Sequence, residues 1–285
     1  MTYDKVSVYI TTYNRCDRLF RAINSVIKQT YNDFEILVCD DASTDNTETM
    51  MTELVKHDNR VRYFRNSTNM GACYSRNVGI NNATGKFITG LDDDDEFTDD
   101  RLNLFINKWD DKYSFLCANF FEVYPDKKFK HYIDSHERAY NHRNLLYKNI
   151  ASNQIFTTTE KLRSINGFDK DVKRLQDWDT WLRLAYKHGD FLRLSDATYL
   201  MHHDHIINDI RVSTSYSFTN ALRELGIRNR SIYGKDEYKC LQYLLSYYDR
   251  KLSFIDSVKW GCYQKNVKNI LRYFKQNLSK DTKPA

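Results

Sequence analysis

The sequence predicts an α/β fold: a mostly parallel sheet flanked by helices, with a helical C-terminal extension. Three observations carry that expectation. Runs rich in β-branched residues alternate with amphipathic stretches through the first hundred residues, as in a parallel sheet covered on both faces. Polar clusters stand at three strand ends, residues 11–14, 40–45 and 92–96, and ligands of such sheets bind outside the carboxyl ends of the strands. From about Ile210 strand signals vanish and helical ones take over.

The elements follow in order. Residues 5–10, KVSVYI, suit a buried strand, and a helical face of Leu19, Ile23, Val26 and Ile27 comes next. Residues 34–39, FEILVC, are a second strand, after which Ser43 or Asp45 is placed to cap a helix over Thr47–His57. A short strand over 61–64, a turn at 69–71 and a helix over Ala72–Asn82 lead into a strand over 86–91. A helix over Arg101–Lys108 precedes a strand over 113–124, expected at a sheet edge because Pro125 follows. Residues 126–144 read as loop, 155–159 as strand, and 161–165 as helix closed by Asn166 and Gly167. Gln176–His188 reads as an amphipathic helix with Trp178, Trp181, Leu182 and Ala185 on its apolar side.

A chain of 285 residues suffices for one large α/β domain with an appendage. The change of character divides it at 1–210 and 211–285. A hydrophobic fraction of 41% supports a sizeable core, and 28% charged residues mark a globular chain rather than a disordered one. The opening residues, MTYDKVSVYITTYN, show no charged leader before a long apolar block, so no signal peptide is expected. No stretch reaches 18 apolar residues, so no spanning helix is expected. Six scattered cysteines without a CxxC pair fit a reducing, cytoplasmic setting.

The stretch richest in chemistry is residues 86–96, KFITGLDDDDE. A buried strand runs straight into Asp92, Asp93, Asp94, Asp95 and Glu96. Like charges this close repel and raise one another's pKa. Most acidic runs are solvated surface. A strand end level with two other polar clusters favours instead a site for a hard divalent cation, Mg²⁺ or Mn²⁺, bound through oxygen. An EF-hand is excluded: the sixth residue from Asp92 is Phe97, where that loop needs Gly. No G-x-G-x-x-G follows the first strand and no G-x-x-x-x-G-K-[ST] occurs, so a Gly-rich loop is not what would hold a nucleotide.

Four segments carry a resemblance: VSVYITTYNR (6–15), SVIKQTYNDFEILVCDDASTDNT (25–47), NMGACYSRNVGINNATGKFITGLDDDDEF (69–97) and LQDWDTWLRL (175–184). In order and spacing they resemble family 2 glycosyltransferases, inverting enzymes with a Rossmann-like GT-A fold, of the bacterial polysaccharide and O-antigen type. The likeness covers the first two thirds of the chain. It implies that residues 1–210 are the catalytic domain. Thr11 and Tyr13 would flank the nucleotide base, with the Tyr13 ring on uracil. Asp41 would accept from uracil N3–H and favour UDP, while Asp40 would be structural. Arg76 would lie near the ribose or phosphates. Asp92-x-Asp94 matches the family's DxD motif. Asp94 would ligate Mn²⁺ or Mg²⁺, Asp92 would contact ribose or a metal-bound water, and Asp93 would approach the donor sugar. Asp95 receives no firm role.

The second site implied by the likeness is Asp177, where the family keeps its general base. Asp179 is a nearby competitor, and a helix N-cap is the plainer role for Asp177. Arg183 would pair with a carboxylate or with the diphosphate. In MHHDH, residues 201–205, a histidine would contact the metal or diphosphate. The spacing there departs from the family pattern, and His203 is favoured over His202 and His205.

The implied reaction moves a hexose (glucose, galactose or an N-acetyl relative) from a UDP-sugar to a hydroxyl of a sugar acceptor, a sugar-diphospho-lipid of bacterial surface polysaccharide synthesis. A protein or teichoic-acid acceptor, or a nucleotide-sugar-binding module without catalysis, are the alternatives. Nucleic acid is not an expected partner, since no zinc, RRM or helix-turn-helix signature occurs and the acidic strand ends would repel phosphates. The C-terminal region interleaves Lys259, Lys265, Lys268, Arg272, Lys275 and Lys280 with Trp260, Val267, Leu271, Tyr273 and Phe274. It reads either as a helical cap with a solvated basic face or as a surface resting on an anionic membrane through Lys/Arg, Trp and Phe. The expected compartment is the cytoplasm, with the inner face of the cell membrane as the site of any peripheral contact.

Overall fold

The computed structural model describes residues 4–133, 136–151, 154–204 and 216–278, which cluster into two compact units. The first holds the sheet. Its elements are β1 (Val6–Thr12), α1 (Cys16–Ile27), β2 (Phe34–Asp40), α2 (Thr47–His57), β3 (Val61–Arg65), α3 (Ala72–Asn82), β4 (Phe87–Asp92), β5 (Glu96–Phe97) and α4 (Arg101–Lys108). They continue with β6 (Leu116–Val123), β7 (Lys128–Lys130), β8 (Arg138–Tyr140), β9 (Phe156–Thr158), α5 (Thr159–Ser164), α6 (Gln176–His188) and β10 (Phe191–His202). The strand order is β3-β2-β1-β4-β9-β6-β10-β5, with β7 on β6 and β8 on β10. β3, β2, β1 and β4 run parallel, and β9 is antiparallel to β4 and β6.

The central strands are buried on both faces, which is why they read as continuous apolar runs. Val6, Val8 and Ile10 share a core with Leu19, Ile23 and Val26 of α1. Tyr9, on the other face, lies against α3: a Cβ added at Gly79 would come within 2.8 Å of Tyr9 Cβ. The Tyr9 hydroxyl reaches Gln154 Oε1 at 3.2 Å. Gly90, paired with Tyr9 across β1 and β4, leaves room for both: a Cβ there would lie 2.5 Å from Tyr9 Cζ and collide with Gln154 Oε1. Gly90→Ala is therefore expected to cost about 1–3 kcal/mol through forced displacement of a packed ring. Urea denaturation measures it, and an unchanged midpoint contradicts this packing.

Four sequence expectations change. The strand over 113–124 is not at an edge: β6 lies between β9 and β10, and Pro125 falls just past its end. β10, twelve residues long, was not expected at all. Its pairing with β6 shifts register between Leu194 and Ala197 and again between Ala197 and Leu200, so bulges erase the two-residue alternation that betrays a strand. The expected loop over 126–144 holds β7, β8 and a 3-10 turn, His142–Leu145. At the start of α2 the capping residue is Asn46, while Asp45 Oδ1 accepts from the Thr47 N–H at 3.1 Å.

The second unit comprises Leu146–Asn149, Lys173–Leu175 and four helices: α7 (Phe218–Arg228), α8 (Lys235–Tyr248), α9 (Phe254–Gln264) and α10 (Lys268–Leu278). Leu222, Leu225, Leu241, Leu244, Leu252 and Trp260 are buried. The Tyr233 hydroxyl donates to the Leu146 carbonyl at 2.8 Å. Among the described residues no helix is long and apolar enough to cross a membrane.

Candidate active site

Parallel register brings the three polar strand ends level. Thr11 pairs with Cys39 on one side and Asp92 on the other, and Thr12 with Asp40. Beyond β1, Asn14 takes a left-handed φ of 54°, a conformation Asn tolerates better than most residues. From there its Oδ1 accepts from the Thr44 N–H at 2.7 Å, and its own N–H donates to Ser43 Oγ at 2.9 Å. These bonds tie the first two strand ends together and leave the Tyr13 ring exposed.

The two aspartates after β2 have separate surroundings. Asp40 is fully buried, accepting from the Ser43 N–H and the Tyr63 hydroxyl. Asp41 accepts from Asn66 Nδ2 and the Met70 N–H at 2.8 Å and from the Gly71 N–H at 2.7 Å. These bonds fix its carboxylate beside the turn that opens α3.

The acid run divides among different partners. Asp92 Oδ1 accepts from Gln154 Nε2 at 2.9 Å and faces Arg76 Nη2 at 3.4 Å. Asp93 and Asp94 share Arg15 Nη1, at 3.0 and 3.1 Å. Asp95 accepts from the Tyr199 hydroxyl and the His202 N–H, both at 2.8 Å, so it clasps the end of β10. Burial pushes the Asp92 carboxyl above its usual range, against Arg76 and with help from Asp94. Burial also raises Asp93, to about 6, opposed by Arg15 and reinforced by Asp94. Asp95 is held well above the carboxylate range by burial and by Asp94 and Asp92. Burial, reinforced by neighbouring carboxyls, thus disfavours the ionised forms here more than Arg15 and Arg76 favour them.

Across from this run, α6 presents Asp177 in its first turn. It is not the helix cap. Its Oδ1 is buried without a hydrogen-bond partner among the described residues. Burial raises its pKa to about 7, with Arg76 pulling it down and Asp92 pushing it up. Arg76 is the electrostatic link between them. It is buried, donates to Gln176 Oε1 at 2.6 Å, and is kept protonated by Asp177 and Asp92 although burial works against its charge. The competitor Asp179 is buried against Arg183, at 2.9 Å. Arg183 also donates to the Ile165 and Gly167 carbonyls at 2.8 Å. Both members of that pair have structural work within the helix and the turn behind it.

Of the histidines, His202 lies with the acid run: its N–H bonds Asp95, and its Nε2 sits 2.7 Å from Glu96. His203 stacks on Tyr124 at 4.3 Å and contacts the Glu122 carboxylate. His205 lies outside the described residues. Among the described residues no three carboxylate, imidazole or thiol groups converge on one point. The donor set still fits Mg²⁺ or Mn²⁺. Such ions are commonly held by one or two carboxylates, with substrate phosphates completing the shell, and crowded carboxylates with raised pKa values gain from a cation.

Sequence reasoning missed Arg15, Gln154 and Tyr199. Arg15 carried a signal, a lone cation directly after the first polar strand end. Gln154 and Tyr199 carried none, since they meet Asp92 and Asp95 only through folding.

The family model for glycosyl transferase family 2 matches residues 7–172. WcaA of Escherichia coli (strain K12), named for colanic acid biosynthesis, is 35% identical over 207 residues, 70% of this chain and 73% of WcaA. WfgD of Escherichia coli, a UDP-Glc:alpha-D-GlcNAc-diphosphoundecaprenol beta-1,3-glucosyltransferase, is 29% identical over 63% of this chain and 69% of its own. A Campylobacter jejuni GalNAc(5)-diNAcBac-PP-undecaprenol beta-1,3-glucosyltransferase is 38% identical over 40% of this chain, and the match spans only 38% of that relative. Among solved structures, residues 1–349 of Staphylococcus aureus TarS with UDP-GlcNAc superpose with a TM-score of 0.69 at 20% identity. That match covers 95% of this chain and 79% of the other. A longer TarS chain is matched over 43% of its length. The TarS likeness establishes the architecture.

Proposed function

The chain belongs to glycosyl transferase family 2, and from that premise we propose that it transfers a hexose from a UDP-sugar to a hydroxyl of a sugar-diphospho-lipid, inverting the anomeric centre, in bacterial surface polysaccharide synthesis. The observation that carries this reading is Asp177: a buried carboxylate oxygen with no hydrogen-bond partner among the described residues, its pKa pushed by burial up to about 7, and linked electrostatically through Arg76 to the acid run. A general base works best with its pKa near the operating pH. The acceptor and the glucose option rest on the names of WfgD and the Campylobacter relative.

Each residue then has a task. The exposed Tyr13 ring stacks on uracil, with Thr11 beside it. Asp41 accepts from uracil N3–H; a carboxylate has about four lone-pair sites, and three are engaged by the protein. Arg76 faces the ribose and phosphate side, and Asp92, steadied by Gln154, takes the ribose. Asp93 approaches the donor sugar. Asp94 is the metal-holding carboxylate, with His202 better placed than the expected His203 to assist it. A divalent cation bound there supplies positive charge against the departing diphosphate. Asp177 Oδ1 receives the proton of the attacking acceptor hydroxyl, on the face of the sugar opposite the leaving group.

The test is a panel of UDP-sugars incubated with the purified chain and Mn²⁺, with released UDP as readout. One or two donors are expected to release UDP well above the rest. Release from none of them sinks the catalytic reading and leaves a binding module.

A further inference from the structure

In α10 an apolar stripe is left on the outside while the most deeply buried positions are polar. A helix at the surface of a folded unit normally turns its apolar stripe inward. Here the fully buried residues are polar, Asn269 and Gln276, beside half-buried Ile270, packed on Gly261, and Tyr273, packed on Phe254. Gln276 is bound on both sides to Leu252: its Nε2 donates to the Leu252 carbonyl at 2.5 Å, and its Oε1 accepts from the Leu252 N–H at 3.3 Å. Asn269 Nδ2 donates to Gln264 Oε1 at 2.9 Å. The apolar stripe points the other way. Leu271, Phe274 and Leu278 follow at spacings of three and four, which places them on one helical face; Val267, the residue before the helix, accepts from the Leu271 N–H and adds to the stripe, and the four are 57%, 49%, 70% and 67% exposed in that order. Phe254, half exposed at the start of α9, extends the patch with its ring 6.1 Å from that of Phe274.

The surroundings of this patch identify its partner. Between residues 250 and 278 there are seven Lys or Arg against a single acid, Asp256. Lys268 and Lys275 are exposed on the flank of the stripe, where long basic side chains meet lipid headgroups while apolar neighbours enter the acyl boundary. The one-sided positive charge is complementary to the anionic headgroups of such a lipid surface. Trp260, which the sequence suggested as a membrane contact, is instead buried, with Arg272 4.4 Å over its ring. The apolar contacts fall to the stripe alone.

We propose that the outer face of α10, Leu271, Phe274 and Leu278, with Val267 just before it and the flanking Lys268 and Lys275, is a docking surface for an anionic lipid bilayer. It inserts side chains into the interface without crossing the membrane. The surface stands on the second unit by itself and does not depend on the proposed catalysis.

The experiment is co-sedimentation of the full chain with vesicles of pure phosphatidylcholine and of phosphatidylcholine carrying phosphatidylglycerol. Binding is expected to the anionic vesicles only and to fall in high salt. Lys268→Gln with Lys275→Gln is expected to weaken it about fivefold per lysine. Leu271→Ser with Phe274→Ser is expected to weaken it more than tenfold while the chain still unfolds cooperatively with the parental circular-dichroism spectrum, because both side chains are about half or more exposed. UDP release by these variants should match the parent, which separates failure of this surface from failure of the enzyme reading. A parent chain that stays in the supernatant with both vesicles overturns the proposal. Retained binding in the Leu271→Ser/Phe274→Ser variant does the same. So does a parent dimer that becomes monomeric in that variant without any vesicle binding, which would assign the stripe to a second copy of the chain.

Discussion

Asp177→Asn is expected to bind UDP as the parent does and to turn over about 10²–10⁴ times more slowly, the usual worth of a positioned proton acceptor. Asn keeps the shape and cannot take the proton. The pH profile adds a signature. The base must be ionised, and burial places its pKa near 7, so parental turnover should fall as pH drops through 7. That limb should vanish from the residual activity of the variant. Stability moves independently. A carboxyl whose pKa is raised on folding binds more protons in the native state than in the unfolded one, so it erodes stability as pH climbs from its unfolded value towards 7. At pH 8 the Asn variant should therefore melt at or above the parental temperature. Parental turnover in the variant would transfer the base role elsewhere. Asp179 is a poor heir, being committed to Arg183.

Asp94→Ala is expected to abolish the Mn²⁺-dependent part of UDP binding and to lower turnover by on the order of 10³, since charge neutralisation at a leaving group is worth several kcal/mol. The variant should fold. Asp94 raises the pKa values of Asp92, Asp93 and Asp95, so its removal relieves repulsion, and Arg15 keeps Asp93 as a partner. Titration of UDP by calorimetry with and without Mn²⁺ reads the effect. A variant that retains parental metal-dependent affinity would remove the metal from this carboxylate.

Much of the first unit was legible in the sequence because the signals are local. α2, α3, α4 and α6 lie where periodicity and turn residues put them. The alternation of strand and helix through β4 also dictated which polar ends would stand level. The second half of the sheet was less legible. β10 pairs with β6 through bulges, and β6 sits inside the sheet because a strand that sequence order gave no reason to expect lies beside it. Within the site, residue types could be named but not their division of labour. Four consecutive aspartates look alike in a sequence. They differ only when Arg15, Gln154 and Tyr199 arrive from 78, 62 and 104 residues away. Asp95 shows this best: without a role in the sequence, it fastens the acid run to the end of β10. Asp177 and Asp179, two positions apart, likewise separate only through what each touches.

The most direct measurement is the anomeric configuration of the product, read by proton NMR after transfer from an α-linked UDP-sugar to a sugar-diphospho-lipid analogue in the presence of Mn²⁺. A β-linked product is the expected result, because the proposed role of Asp177 as the one base acting on the acceptor hydroxyl implies a single displacement. An α-linked product would require two displacements or a different face of attack, and would contradict the assignment of Asp177 and of the acid run together.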